Sequence, residues 1–313
     1  MSSGTLHSER LSMRVIRIDE FGGPEVLRIG EAPDRERRSG EVLIRAVATS
    51  INPVDDKTRE GAVGDGTPPL PMTLGWDLAG TVVDGGSSGL PAGASVLAMS
   101  HQLSTGRGTW ADLVAMPAAA VALAPTTVSP LEAATLPLPG LSALQTLRWL
   151  AVSAGRRLLI TGAGGAVGGL ALQIARFRGV RADALVSRPE HIDWARRCGA
   201  EFVTADPGDL RDRAYDAVLD TFGAFVTDAV ADGGRYASIA TQAGPVPDLS
   251  QRRVHTTVHQ VREDGAGIAE LAGLVDRGAL RLRTDSVFAL REIQTAHRHF
   301  LRGGLKGKVV ITF

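Results

Sequence analysis

Three glycines stand three residues apart in "RRLLITGAGGAVGG": Gly162, Gly165 and Gly168. A short apolar run precedes them and the amphipathic "GGLALQIARFRG" follows, so the spacing falls on a strand–turn–helix. In that setting the first glycine allows the tight turn. The second lets backbone come close to a pyrophosphate, with Ala166 and Val167 opening the helix beside it, and the third lets the helix pack on the strand. A helix N-terminus at this point offers free N–H groups and positive dipole to an anion. The chemistry implied is dinucleotide binding.

About twenty residues on, the next strand ends "ALVSRPEH". A site for an unphosphorylated ribose places Asp or Glu at that strand tip. Here Ser187, Arg188 and His191 occupy the tip and the start of the next helix, with Glu190 nearby. A guanidinium flanked by a hydroxyl and an imidazole suits a 2′-phosphate, so NADPH is the expected cofactor.

A second group of reactive side chains lies in "INPVDDKTREG". Asn52 can hold a substrate oxygen or act as a turn residue before Pro53. Asp55 can serve in proton transfer or as a helix cap, and Lys57 as an acid or a solvated charge. These three are the catalytic candidates. The chain has two tyrosines, Tyr215 and Tyr236, and both fall in the dinucleotide-binding half. His255 and His259 share one face if their segment is a strand.

The elements around these groups change rhythm along the chain. From Met13 to Leu123 the pattern is short strands ("MRVIRID", "EVLIRAVATSI") between Gly- and Pro-rich turns. Beyond the Ala/Pro-rich passage 117–140, strands alternate with helices ("RRLLITG", "VRADALVS", "EFVTA", "YDAVLDTFG", "GGRYASIAT"), the signature of a covered parallel sheet. The closing "GKVVITF" reads as a strand that rejoins the first domain. Asp183, inside "VRADALVS", is out of place in such a strand.

At 313 residues, with 44% hydrophobic and 22% charged content, the chain has room for two globular domains. Thirty-four basic side chains balance thirty-four acidic ones, which argues against nucleic acid or an anionic membrane as a partner. The single cysteine, Cys198, excludes a disulfide framework and a multi-cysteine metal site. No apolar run reaches the ~20 residues a bilayer span needs, and the polar first twelve residues lack a signal-type core. A cytoplasmic setting is expected.

Taken in order, "MRVIRIDEFGGPEVLRI", "SINPVDDKTREG", "LGWDLAGTVV", "GTWADLVAMP", "GAGGAVGGLALQIAR", "YDAVLDTFG", "GGRYASIA" and "GLKGKVVITF" resemble the zinc-free, quinone oxidoreductase-like (enoyl reductase-like) medium-chain dehydrogenases/reductases. The resemblance covers Met13 to Phe313. It implies an α/β fold: a GroES-like, mostly-β substrate domain from 13–123 and 253–313 and a Rossmann doubly wound domain at 124–252, while the polar residues 1–12 read as a flexible extension. It also implies a cleft at the domain junction and a homodimer. By the same analogy Thr221, Phe222 and Thr241 lie at strand ends facing the cofactor.

Where the zinc-dependent branch has His-Glu this chain has Trp76-Asp77, and the ligand cysteine and structural cysteine loop of that branch are absent. Catalytic zinc is therefore not expected. The expected reaction is hydride transfer from NADPH to a quinone or an α,β-unsaturated carbonyl, whose acceptor carbon conjugation already activates. An NADPH-binding protein with little turnover and a zinc-independent alcohol dehydrogenase are the alternatives.

Overall fold

A computed structural model of the chain describes residues 12–64, 67–240 and 243–313. These residues form two compact units. One takes the described residues up to Ala124 together with Thr284–Phe313; the other is Pro125–Arg283.

The first stretch carries β1 (Ser12–Ile18), β2 (Arg28–Pro33), β3 (Glu41–Ser50), α1 (Pro53–Glu60), β4 (Met72–Thr73), β5 (Asp77–Asp84), β6 (Ser95–Met99), α2 (Gln102–Thr105), β7 (Leu113–Pro117) and β8 (Val121–Leu123). The second unit carries α3 (Pro130–Ala133), α4 (Pro137–Leu150), β9 (Arg157–Thr161), α5 (Ala166–Phe177), β10 (Arg181–Leu185), α6 (Ile192–Cys198), β11 (Val203–Thr204), β12 (Tyr215–Asp220), β13 (Val230–Ser238), β14 (His255–Val258) and α7 (Gly265–Asp276). The chain then returns to the first unit with β15 (Thr284–Ala289), α8 (Ile293–Arg302) and β16 (Lys308–Thr312).

In the first unit a seven-stranded sheet runs β15-β16-β3-β5-β6-β8, with β7 also on β3, beside a three-stranded sheet β2-β1-β4. The C-terminal "KVVIT" does rejoin the first unit. It lies antiparallel to β3 with Val310 opposite Ser50, and its Val309, Val310 and Ile311 are fully buried. Ser12, assigned by sequence to an extension, already pairs with Pro33 in β1–β2.

The second unit holds one parallel sheet, ordered β11-β10-β9-β12-β13-β14. Numbered within that sheet the order is 3-2-1-4-5-6, the Rossmann winding, whose direction reverses between β9 and β12. The strands read as continuous apolar runs because both faces are covered: Leu158, Leu159, Ile160, Val218 and Leu219 have no exposed surface, and Leu159 and Val218 cluster with Leu210, Val226 and Leu249 of the strand connections.

The second crossover differs from the sequence reading. Residues 253–283 stay with the second unit, so the chain leaves it after Arg283 rather than after residue 252. The cause is pairing and packing. β14 extends the parallel sheet along β13, with Ser238 opposite Val258. Leu271 of α7 packs over Gly140 of α4, and the Asp276 carboxylate accepts from the amides and hydroxyls of Thr126 and Thr127.

Candidate functional site

The glycine turn sits at the carboxyl end of β9, at the reversal point of the sheet. Gly162 has φ +63°, the left-handed region where a side chain is strained, and a Cβ there meets the Thr221 hydroxyl and Phe222. Gly165 caps α5 in extended conformation, and its amide donates to Gly162 O at 3.0 Å. Around Gly165 the space is open: a Cβ meets only Gly162 O, at 3.3 Å. Gly168 is the opposite case. A Cβ there lands 2.6 Å from Gly162 O and 2.7 Å from the Ala163 Cα, backbone that cannot retreat. Gly165 and Ala166 are exposed, Val167 half-buried and Gly168 buried.

Ser187 and Arg188 are exposed just past β10, and the Arg188 guanidinium lies 3.5 Å from Glu190. His191 packs its Nδ1 against Gly164 of the turn, and this buried nitrogen has no hydrogen-bond partner among the described residues. Burial, then the charges of Arg188 and Arg283, hold the imidazole below its usual pKa, with Glu190 opposing. Arg283 itself stacks on the Trp194 ring at 4.0 Å. The tip of β10 is thus a basic rim beside the glycine turn.

Sequence reasoning passed over Asp220, the last residue of β12, which organises the adjoining loop. Its Oδ1 accepts from Thr161 Oγ1 (2.5 Å) and from the amides of Phe222, Gly223 and Ala224 at 3.1, 2.8 and 3.1 Å. Its Oδ2 accepts from the Phe225 amide (3.0 Å) and from Tyr236 Oη (2.6 Å). Burial pushes this carboxyl up, but the two hydroxyls and the amides outweigh it and hold the group below the ordinary carboxylate range. Thr221 donates to Thr161 O at 2.7 Å, and Phe222 projects with 61% of its surface exposed. The signal was a lone Asp closing an apolar strand before "TFG". Thr241 lies outside the described residues.

Asp183 now has a structural account. Arg157 Nη2 at 2.6 Å, Tyr215 Oη at 3.0 Å and the Phe202 amide at 3.1 Å all donate to it. Both tyrosines are therefore committed to buried aspartates. The two histidines part company: His255 is exposed on β14, whereas His259 Nε2 is buried past the strand's end. Burial pushes the Cys198 thiol up to about 12, the behaviour of an inert core thiol.

In the first unit Asn52 and Asp55 turn inward. Asn52, 2% exposed, donates through Nδ2 to Asp77 Oδ2 at 2.7 Å, and its Oδ1 accepts from Lys308 Nζ. Asp55, fully buried, takes the Asn52 amide at 2.8 Å as the third residue of α1, while its Oδ1 has no hydrogen-bond partner among the described residues. Burial pushes Asp55 up to about 8. The Asn52 amide opposes that shift, Asp77 adds to it and Lys308 offsets it. Lys308 Nζ also donates to Ile51 O at 2.6 Å and lies 3.7 Å from Asp77 Oδ2. Sequence reasoning missed Lys308 because a lysine inside "GKVVITF" shows no sign of a buried partner. Of the three candidates only Lys57 is not fully buried: it is half-buried, and burial lowers its ammonium pKa, partly opposed by Asp56.

A catalytic zinc does not fit these residues. Position 76 is an indole, and the Asp77 carboxylate is already bound by Ser50 (2.5 Å), Asn52 and Lys308. Among the described residues no group of three or more His, Cys, Asp or Glu could hold a metal ion.

Winding and turn together define a two-unit protein with a Rossmann dinucleotide-binding unit. Residues 38–126 match the alcohol dehydrogenase GroES-like domain, and residues 199–311 match the zinc-binding dehydrogenase family. The chain is 31% identical over 308 residues to the chloroplastic NADPH-dependent alkenal/one oxidoreductase of Arabidopsis thaliana, covering 93% of this chain and 77% of that one. It superposes on the quinone oxidoreductase of Coxiella burnetii with a TM-score of 0.85 at 27% identity, covering 97% of this chain and 100% of that one. A mycobacterial protein solved in complex with NADPH superposes with a TM-score of 0.81 at 28% identity, covering 96% and 100% of the two chains. The chain belongs to the medium-chain dehydrogenase/reductase family of oxidoreductases, in its quinone oxidoreductase-like group.

Proposed function

We propose that the protein is an NADPH-dependent reductase of quinones or α,β-unsaturated carbonyls that works without a metal. The observation that carries this is the glycine turn at the sheet's reversal point, open at Gly165 and bordered by Ser187, Arg188 and His191. The relatives named for NADPH-dependent alkenal reduction and for quinone reduction support the same reading.

In this reading the Gly165–Gly168 backbone holds the pyrophosphate, and Arg188 with Ser187 and His191 takes the 2′-phosphate. Thr221 and Phe222, fixed by the Asp220 loop, line the approach to the ring. NADPH, when bound, supplies the hydride. Lys57 is the proton donor or oxyanion partner, since burial eases loss of its proton. Asn52 and Asp55 act through the position of α1. The protein is taken to be a cytoplasmic homodimer. No helix among the described residues is long and apolar enough to cross a membrane, and the sheet ends on the open edge of β14.

The test follows NADPH absorbance with a panel of quinones and enones, using the wild type and Lys57→Met. Oxidation by several members, slowed in Lys57→Met with NADPH affinity unchanged, is expected. Binding without oxidation by any member overturns the reading in favour of a sensor. Reduction of NADP+ by alcohols, with no enone turnover, overturns it in favour of an alcohol dehydrogenase.

A further inference from the structure

Ile293, Ala296, His297 and Phe300 form the inward stripe of α8, spaced i, i+3, i+4 and i+7. Three of the four are apolar and pack with Trp110 in the core of the first unit. The fourth is an imidazole with no exposed surface. Trp110 meets it edge-on, with ring centroids 5.4 Å apart. Neither ring nitrogen has a hydrogen-bond partner among the described residues, and Nδ1 stands 3.7 Å from Asp56 Oδ1, beyond hydrogen-bond reach.

The charges that face His297 both come from α1: Asp56 and the fully buried Arg59. Asp56 already accepts from Arg59 Nη2, which also reaches Glu60 at 3.1 Å, and Arg59 Nη1 donates to Gly22 O at 2.8 Å. Arg59 Nε is a third buried nitrogen here with no hydrogen-bond partner among the described residues. Charged groups on the other elements around α8 are engaged elsewhere. β15 gives Asp285 to His299, β16 gives Lys308 to Ile51 O and Asn52, and the turn at 24–26 gives Glu25 to the Gly23 amide. The turn before α8 gives Glu292 to the Ala289 amide and leaves Arg291 exposed. On α8 itself Arg298 bonds Gln294, and His299 lies between Asp285 and Arg302. A proton on His297 therefore places two buried cations against one carboxylate, a costly arrangement away from water.

We propose that His297 is an acid-sensitive latch that holds α8 on α1 while its ring is neutral and releases the helix when the ring is protonated. Burial holds this imidazole below its usual pKa, with Asp56 opposing and Arg59 adding to the shift. Once α8 opens, the ring meets water and returns to its ordinary value of 6.5, so the open state binds the proton more tightly. The latch is complete above about pH 6.5 and weakens as pH falls below it.

Hydrogen exchange on the full chain at pH 7 and pH 5, corrected for the intrinsic rate, tests the latch. In the wild type, protection of residues 53–60 and 293–302 should fall at least about tenfold, while that of 166–177 in the second unit holds. His297→Phe fills the same stripe with a ring that cannot titrate, and its loss at 53–60 and 293–302 should stay below about threefold. His297→Gln, which also lacks a titrating ring, takes its place if the phenylalanine disturbs packing. Wild-type protection that survives at pH 5 overturns the proposal. So does an equal loss in the wild type and both variants, or a loss spread evenly over the two units.

Discussion

Gly165 and Gly168 look alike in the sequence, yet different atoms constrain them. A methyl at 168 runs into the backbone of Gly162 and Ala163, so Gly168→Ala should destabilise the second unit by about 1–3 kcal/mol in urea denaturation. A methyl at 165 enters open space. Gly165→Ala should therefore fold with a loss below about 1 kcal/mol while NADPH affinity falls at least about tenfold by calorimetry. A Gly165→Ala protein that binds NADPH normally removes the pyrophosphate from this turn. Arg188 carries the choice between coenzymes. Its only ionic partner among the described residues is the exposed Glu190, so its fork is accessible to a 2′-phosphate. Arg188→Ala should raise the KM for NADPH about tenfold and leave that for NADH nearly unchanged; equal effects on both refute the role.

At the scale of elements, the Asp220 loop and the α1 anchor show how buried charge sets local geometry. Asp220 collects four successive amides, from Phe222 to Phe225, and so fixes the path of the chain where β12 ends. Around α1, Lys308 on β16 ties Asn52 and Asp77 together, joining the last strand to the helix that carries Lys57. Asp55 pays for its position at that helix end. Its folded pKa, pushed up to about 8 by burial, exceeds the unfolded value of 3.8, so the folded state holds the extra proton. Its contribution is complete below about pH 4 and is lost as pH rises toward 8. Asp55→Asn keeps an acceptor for the Asn52 amide and removes this titration. Compared with the wild type, its melting temperature should fall less between pH 5 and pH 8. Parallel pH profiles for the two proteins show that Asp55 is ionised in the fold.

For the whole molecule, the open edge of the parallel sheet is the feature with consequences. His259 donates to Ser238 O at 2.7 Å, so the alternation of the strand turns the Val258 amide away from β13 and off the edge. A second copy can add its own β14 there. Sedimentation equilibrium should give twice the chain mass of 32.8 kDa, and Val258→Pro, which removes that amide, should give the monomer with NADPH affinity retained. A wild-type monomer at micromolar concentration rules out the pairing.

The sequence by itself determined what local rules can carry. Glycine spacing, apolar runs and turn residues act over a few neighbouring positions, so the strand–turn–helix at 157–177, the alternation of strands and helices, and the return of "KVVIT" to the first unit could all be read directly. Only the tertiary structure decided which polar groups face each other. Asp77 and Lys308 are 231 positions apart, as Asp183 and Arg157 are 26, and nothing local to either member marks the partner. For the same reason Asn52 and Asp55 read as reagents in the sequence and fold as buried supports, and the second crossover moved to Arg283 once β14 found its place beside β13. Side-chain burial is a property of the packed chain, and burial decides whether a carboxylate meets substrate or protein.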